Sequence, residues 1–109
     1  MADRKHILFI ARWYPDRHDP MLGLFVQKHA QAVHLFHDVS VLYVTADNTI
    51  PAGTSMKSEN IFNGIREYRI YFGKYDSGIC NAIAYAKYYV QGLSLIKKSA
   101  GIPDLVHVH

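Results

Sequence analysis

With 109 residues, half of them hydrophobic, the chain has material for about one packed domain and is too apolar for a disordered segment. Its formal net charge of +3 is spread along the chain, which speaks against a nucleic-acid binder with a clustered basic stripe. The single cysteine, Cys80, excludes an intrachain disulfide and suits a reducing compartment.

The first apolar run, Ile7 to Ala11, is short and continuous, as expected of a strand buried on both faces. Trp13 to Leu22 holds Pro15, Asp16, Asp19 and Pro20 and predicts a loop. From Leu24 the period changes. Val26, His29, Ala30, Val33 and His37 fall on one face of a helix that Asp38 ends. Val39 to Thr45 predicts a second strand, and Ala46 to Lys57, with Pro51 and Gly53, a loop. Asn63-Gly64 is a strong hairpin signal, joining a short strand Glu59 to Phe62 to a longer one, Ile65 to Phe72. Gly73 to Gly78 reads as a flexible connection. Ile79, Ile83, Ala86, Val90 and Leu93 mark a long helix reaching about Lys98. Gly101 and Pro103 stop it, and Leu105 to His109 forms a last strand.

This alternation predicts an α/β fold: a parallel sheet with helices on both faces, plus a β-hairpin. A buried parallel strand is normally followed by a crossover, so the last strand predicts that the 109 residues are part of a longer protein. No segment approaches the ~20 apolar residues that span a bilayer, and no signal peptide is recognisable, which predicts a cytoplasmic chain. The mild positive charge allows weak attraction to anionic phosphates or to the inner face of a membrane.

Several residues offer chemistry. Gly23 stands where a helix begins; it either lets a phosphate approach the free N–H groups of the first turn, or simply ends a turn. No Gly-x-Gly-x-x-Gly follows the first strand and no Walker lysine-serine pair occurs. Trp13 and Tyr14 follow the first strand, where rings either stack on a sugar or base or plug the core. Arg12, Arg17 and His18 form a small basic group that either meets an anionic substrate or is solvated. His107 and His109 share a strand face but have no third ligand at plausible spacing, so no metal is expected. Tyr85, Tyr88 and Tyr89 read as packing, with hydroxyls at the edge. Ser55, Ser58 and Cys80 have no neighbouring base, which leaves nucleophilic catalysis without support.

In order along the chain, five pieces resemble the N-terminal domain of glycosyltransferase family 4, of the GT-B fold. They are Ile7-Leu8-Phe9-Ile10 with Trp13-Tyr14-Pro15; Pro20-x-x-Gly23-x-Phe25-Val26 with Gln27, His29 and Ala30; Val39 to Val44; Asn63-Gly64-Ile65 with Tyr68-Arg69; and Pro103-Asp104-Leu105-Val106-His107-Val108-His109. Together they cover nearly the whole chain. The first two are similar to bacterial members that build capsule, lipopolysaccharide or other surface polysaccharides.

The resemblance implies a truncated, Rossmann-like N-terminal domain, residues 1–109, that binds the acceptor and faces an absent C-terminal domain. That second domain holds the nucleotide-sugar donor and carries the family's Glu-x7-Glu motif, and the proposed catalytic histidine lies beyond His109. It implies sugar transfer with retention, usually without a bound metal or other cofactor, to a glycan or lipid-linked acceptor. Gly23 with Leu24 matches the loop that approaches the donor phosphates; Arg12, Trp13, Tyr14 and His109 are the acceptor-cleft candidates. It further implies that the isolated chain is inactive. Two other readings stand beside it: a small flavodoxin-like module binding phosphate or a cofactor without catalysis, and an interaction domain that pairs, with itself or a partner, through an open sheet edge. A receiver domain is disfavoured because the first strand ends in Arg12 rather than an acid.

Overall fold

The computed structural model describes residues 4–11, 14, 21 and 23–108. Their elements run β1 (His6–Ala11), α1 (Leu24–His34), β2 (Asp38–Ala52), β3 (Ser55–Phe62), β4 (Ile65–Gly73), α2 (Gly78–Ser99) and β5 (Leu105–Val108). The fold is α/β and Rossmann-like, around a five-stranded sheet of order β3-β4-β2-β1-β5. β1 runs parallel to β2 and β5, and β2 parallel to β4. β3 alone is antiparallel, paired with β4.

Strand alternation sorts the core into two layers. Ile7, Phe9, Ala11, Val39, Val41, Tyr43 and Ile65 pack beneath Val26 and Ala30 of α1. Leu8, Leu42, Val44, Tyr68, Ile70 and Phe72 pack on the opposite face beneath Ala84, Tyr88 and Ile96 of α2. A helix therefore covers each face, and β1 and β2 read as near-continuous apolar runs because both of their faces are covered. On α1 the expected stripe is shorter than its period suggests. Val26 and Ala30 are buried and Val33 is partly so, whereas His29 is exposed and His37 lies past the helix end.

Three expectations are corrected. β2 does not stop at Thr45 but continues to Ala52, and its pairing with β4 slips between Asp47 and Ala52. Pro51 sits in that irregularity, where a missing N–H is tolerated. β3 begins at Ser55, doubling the expected hairpin arm. It is exposed throughout, so Ser55-Met-Lys-Ser-Glu-Asn60 lacks the apolar alternation that reveals a strand. The Asn63-Gly64 turn has positive φ at both residues, 50° and 84°, as a two-residue hairpin turn requires.

The third concerns α2: the apolar period that marks the helix is not its sheet-facing side, which is instead the side of the tyrosines expected to pack. Ile79, Ile83, Ala86, Val90 and Leu93 are exposed, and Ala84, Tyr88, Gly92 and Ile96 are buried. Two features select this face. At Gly92 the helix lies so close to the sheet that a Cβ would stand 2.4 Å from Leu42 Cδ1. The tyrosines then reach the sheet: Tyr88 stacks on Phe72 at 5.3 Å, Tyr89 Oη donates to the Ala11 carbonyl at 3.1 Å, and Tyr85 Oη accepts from the Ala46 amide at 3.3 Å. Ser77 caps the helix start, its hydroxyl accepting from the Cys80 amide.

β5 also differs from a buried core strand: it lies at the sheet edge, exposed along its length. Among the described residues no helix is long and apolar enough to cross a membrane.

The close approach at Gly92 sets a test. Gly92→Val forces Leu42 aside in a filled layer and should lower the unfolding free energy by about 2 kcal/mol, within the range for overpacking. Gly92→Val combined with Leu42→Ala should lose less than the sum of the two single changes, because the smaller side chain vacates the space. Urea denaturation of the four proteins checks both statements.

Candidate functional site

The four mutually parallel strands end on one side of the sheet, the side on which such folds receive ligands. There the chain leaves β1 and returns as α1. Gly23 is the N-cap, at φ 60° and ψ 26° in the left-handed region, and its carbonyl accepts from the Val26 amide at 2.9 Å. Leu24 is the first helical residue; its N–H donates to the Met21 carbonyl at 3.3 Å. Among the described residues no side chain caps this end by a hydrogen bond, and the first turn carries no acid. The positive end of the helix dipole is thus unopposed by a carboxylate from its own first turn. Of the acceptor-cleft candidates, Arg12, Trp13 and His109 lie outside the described residues, as do Arg17 and His18.

Tyr14 is fully buried, its ring in the layer beneath α1. Its hydroxyl donates to Glu67 of β4, which sequence reasoning had not singled out. Glu67 is 1 % exposed. Oε2 accepts from Tyr14 and from Gln27 Nε2 of α1 at 3.0 Å. Oε1 accepts from Asn60 Nδ2 of β3 at 2.9 Å and from Arg69 Nη1 at 3.1 Å. Arg69 also donates to Asn60 Oδ1 at 2.8 Å, and its guanidinium stands 5.1 Å from the centre of the Tyr14 ring.

Burial by itself would raise the Glu67 pKa. The hydrogen bonds from Tyr14 and Gln27, the charge of Arg69 and the bond from Asn60 outweigh it, and the carboxyl lies below its ordinary value. Tyr14 moves the other way: burial, then its hydrogen bond to Glu67 and the adjacent negative charge, push the phenol well above the usual tyrosine range. Glu67 is therefore an anion and Tyr14 a fixed donor. With two donors on each oxygen, the carboxylate is engaged as an anchor and not poised as a base.

A signal for this cluster was available. Ile65, Glu67, Arg69 and Tyr71 share one face of β4, and an acid followed two residues later by a base inside an apolar strand implies a paired, buried ion. The sequence also contains Glu59 and Glu67 at Glu-x7-Glu spacing. Glu59 lies opposite Tyr68 in the hairpin, so the two glutamates are directed to opposite faces of the sheet and the spacing creates no joint site.

Elsewhere, the His107 ring meets His29 at 5.6 Å and Phe9 at 5.3 Å, an edge-to-face cluster joining β5 to α1. Among the described residues no three His, Cys, Asp or Glu side chains gather to hold a metal ion. At the opposite end of the sheet a cavity of about 350 Å³ is lined by His6, Ser40, Arg66 and Ser99. His6 Nε2 and Ser40 Oγ are 2.9 Å apart there, and Ser40 is 1 % exposed. Arg66 donates to the Ser99 carbonyl at 3.0 Å, closing the end of α2.

Comparisons with protein-family models, with curated proteins and with solved structures give no match.

The anchor makes stability pH-dependent. Because the folded-state pKa of Glu67 is depressed, its contribution is present at neutral pH and is lost as pH falls through that depressed value. Because that of Tyr14 is raised, stability also falls once pH exceeds the value at which tyrosines ionise in the unfolded chain. Tyr14→Phe should cost about 2 kcal/mol as one bond to a charged group is lost. Glu67→Ala should cost about 3–5 kcal/mol by breaking a buried ion pair. Denaturant titrations across pH check all three, and Glu67→Gln should flatten the acid limb.

Proposed function

We propose that this chain is the N-terminal, acceptor-side part of a retaining glycosyltransferase of the GT-B type. It would act on the cytoplasmic side of the cell. The sugar passes from a nucleotide-sugar donor to a glycan or lipid-linked acceptor, in the synthesis of capsule, lipopolysaccharide or another surface polysaccharide. The observation that carries the reading is the left-handed Gly23 at the start of α1, beside the carboxyl end of β1, within the ordered motifs that resemble this family.

In this reading the turn at Gly23 and Leu24 faces the donor phosphates, which replace the 3.3 Å contact of the Leu24 N–H with the Met21 carbonyl. A departing nucleoside diphosphate gains negative charge, and oriented N–H groups at a helix start stabilise that charge. Arg12, Trp13 and His109 belong to the acceptor side, where they position the attacking hydroxyl. Tyr14 is not an acceptor contact in this reading: its hydroxyl is engaged by Glu67. No metal or other cofactor is invoked; the nucleotide sugar is a substrate. The donor-side groups come from a second domain, so the 109 residues alone form half a cleft and turn over nothing.

An isotope-labelled sample titrated with a uridine-diphosphate sugar tests this. Amide shifts should centre on Gly23 to Val26 with a dissociation constant of about 1 mM, the weak end of specific binding. Gly23→Ala should weaken them, since a Cβ in the left-handed region costs about 1–2 kcal/mol. Sugar transfer or hydrolysis by the isolated chain would overturn the half-cleft reading. Tight binding of a flavin, with no response to the nucleotide sugar, would favour the flavodoxin-like module instead.

A further inference from the structure

The apolar stripe of α2 that the sheet leaves uncovered is the largest unexplained surface of the helix. Ile79, Ile83, Ala86, Val90 and Leu93 repeat at alternating steps of four and three residues, which keeps them on one line along the helix. That line is opposite the buried Ala84, Tyr88 and Gly92. Ile79 is 75 %, Ile83 64 % and Val90 66 % exposed. The stripe is about 21 Å long at the helical rise per residue. A contiguous row of aliphatic side chains in water marks a contact surface.

Charge selects the partner. The 22 residues of α2 carry Lys87, Lys97 and Lys98, all exposed, and no acidic residue. Lys97 continues the line of the stripe one turn past Leu93, and Lys87 and Lys98 both lie along one side of it, with the Lys87 ammonium 5.3 Å from the centre of the Tyr88 ring. Two copies meeting through this stripe in parallel would bring lysines together with no acid on either helix to pair them. A single ridge also falls short of the roughly 800 Å² per partner of a stable protein interface, and it lacks the Trp, Tyr or Arg that anchor such contacts. An aliphatic line bordered by lysines is what a helix lying in a bilayer interface presents: the side chains enter the acyl boundary and the lysine stems reach back to the phosphates.

We propose that the outer face of α2 docks the protein onto an anionic lipid surface, with Ile79, Ile83, Val90 and Leu93 inserted and Lys87, Lys97 and Lys98 on lipid phosphates. This gives the weak membrane attraction expected from the net charge a defined surface. It rests on α2 and not on the transferase reading, and its test contains no nucleotide sugar, so either fails without the other.

The 109-residue chain is sedimented with phosphatidylcholine vesicles, with and without phosphatidylglycerol, at low and high salt. Binding should be about a hundredfold tighter to the anionic vesicles, from three lysines near the surface, and should fall with salt. Ile83→Asp combined with Val90→Asp should abolish it while the far-ultraviolet circular dichroism and thermal transition stay unchanged, since both positions are exposed. Lys97→Ala combined with Lys98→Ala should reduce the preference for anionic lipid and leave the weak binding to neutral vesicles. The proposal is overturned by a folded chain that binds neither vesicle, by equal binding to both, or by binding that survives the Ile83/Val90 change. A concentration-dependent dimer lost with that same change would also overturn it and assign the stripe to a second copy.

Discussion

A buried carboxylate is costly to hold, and in this fold one of them has contacts in every direction. The donors to Glu67 come from Tyr14 after β1, Gln27 in α1, Asn60 in β3 and Arg69 in β4. The ion is tolerated in the interior only because all four converge on it. The converse matters more. Each donor must be where Glu67 requires it, so one residue sets the relative positions of Tyr14, a helix and both arms of the hairpin. Apolar packing would not do this alone. α1 buries only Val26 and Ala30 as apolar contacts of its own, and β3 buries none of its side chains. Directional polar bonds supply the register that non-directional burial leaves loose.

This bears on the ligand edge of the sheet. The segment after β1 is held at Tyr14 by Glu67 from below, and α1, which carries Gly23, is held at Gln27 by the same carboxylate. Both flanks of the proposed phosphate-facing corner thus share one anchor. A binding site on a loop gains precision when a rigid second layer fixes the loop's path. Tyr14, with its ring in the core and its hydroxyl spent on Glu67, is an anchor and not a residue that meets substrate.

The legible parts of the fold were those whose signal is periodic and local. β1, β4, the Asn63-Gly64 turn and the existence of both helices follow from apolar runs, alternation and turn chemistry. β3 and the second half of β2 were not legible, because pairing and not composition makes them strands: Lys57, Ser58 and Glu59 gain their conformation from β4. Gly23 was legible as the residue that opens α1, because a glycine before an apolar helical period marks a helix start. Glu67 went unnoticed because its partners lie at sequence separations of 53 and 40 residues, and no local pattern connects Tyr14, Gln27 and a glutamate in a strand. For α2 the period revealed the helix but not its buried side, whereas the tyrosines read as packing do pack. The stripe of Ile79, Ile83, Val90 and Leu93 is more hydrophobic than Tyr85, Tyr88 and Tyr89, but Gly92 and the tyrosine hydroxyls decide which side can approach the sheet.

The two edges of the sheet point to unequal surroundings. β3 carries Lys57 and Glu59 along its exposed length, and charges of this kind discourage further pairing. β5, Leu105-Val106-His107-Val108, has no lysine, proline or acid, and its side chains are exposed on both sheet faces. Its composition is that of an interior parallel strand, while its position is that of an edge. Backbone groups facing outward from such a strand favour a further β partner, and the aliphatic faces favour helices laid over it. Self-pairing of two β5 edges would satisfy the backbone but would leave Leu105, Val106 and Val108 in water. The edge therefore disfavours a self-paired interaction domain. It also makes a different demand from the outer face of α2, which offers no backbone and asks only for an apolar, anionic surface.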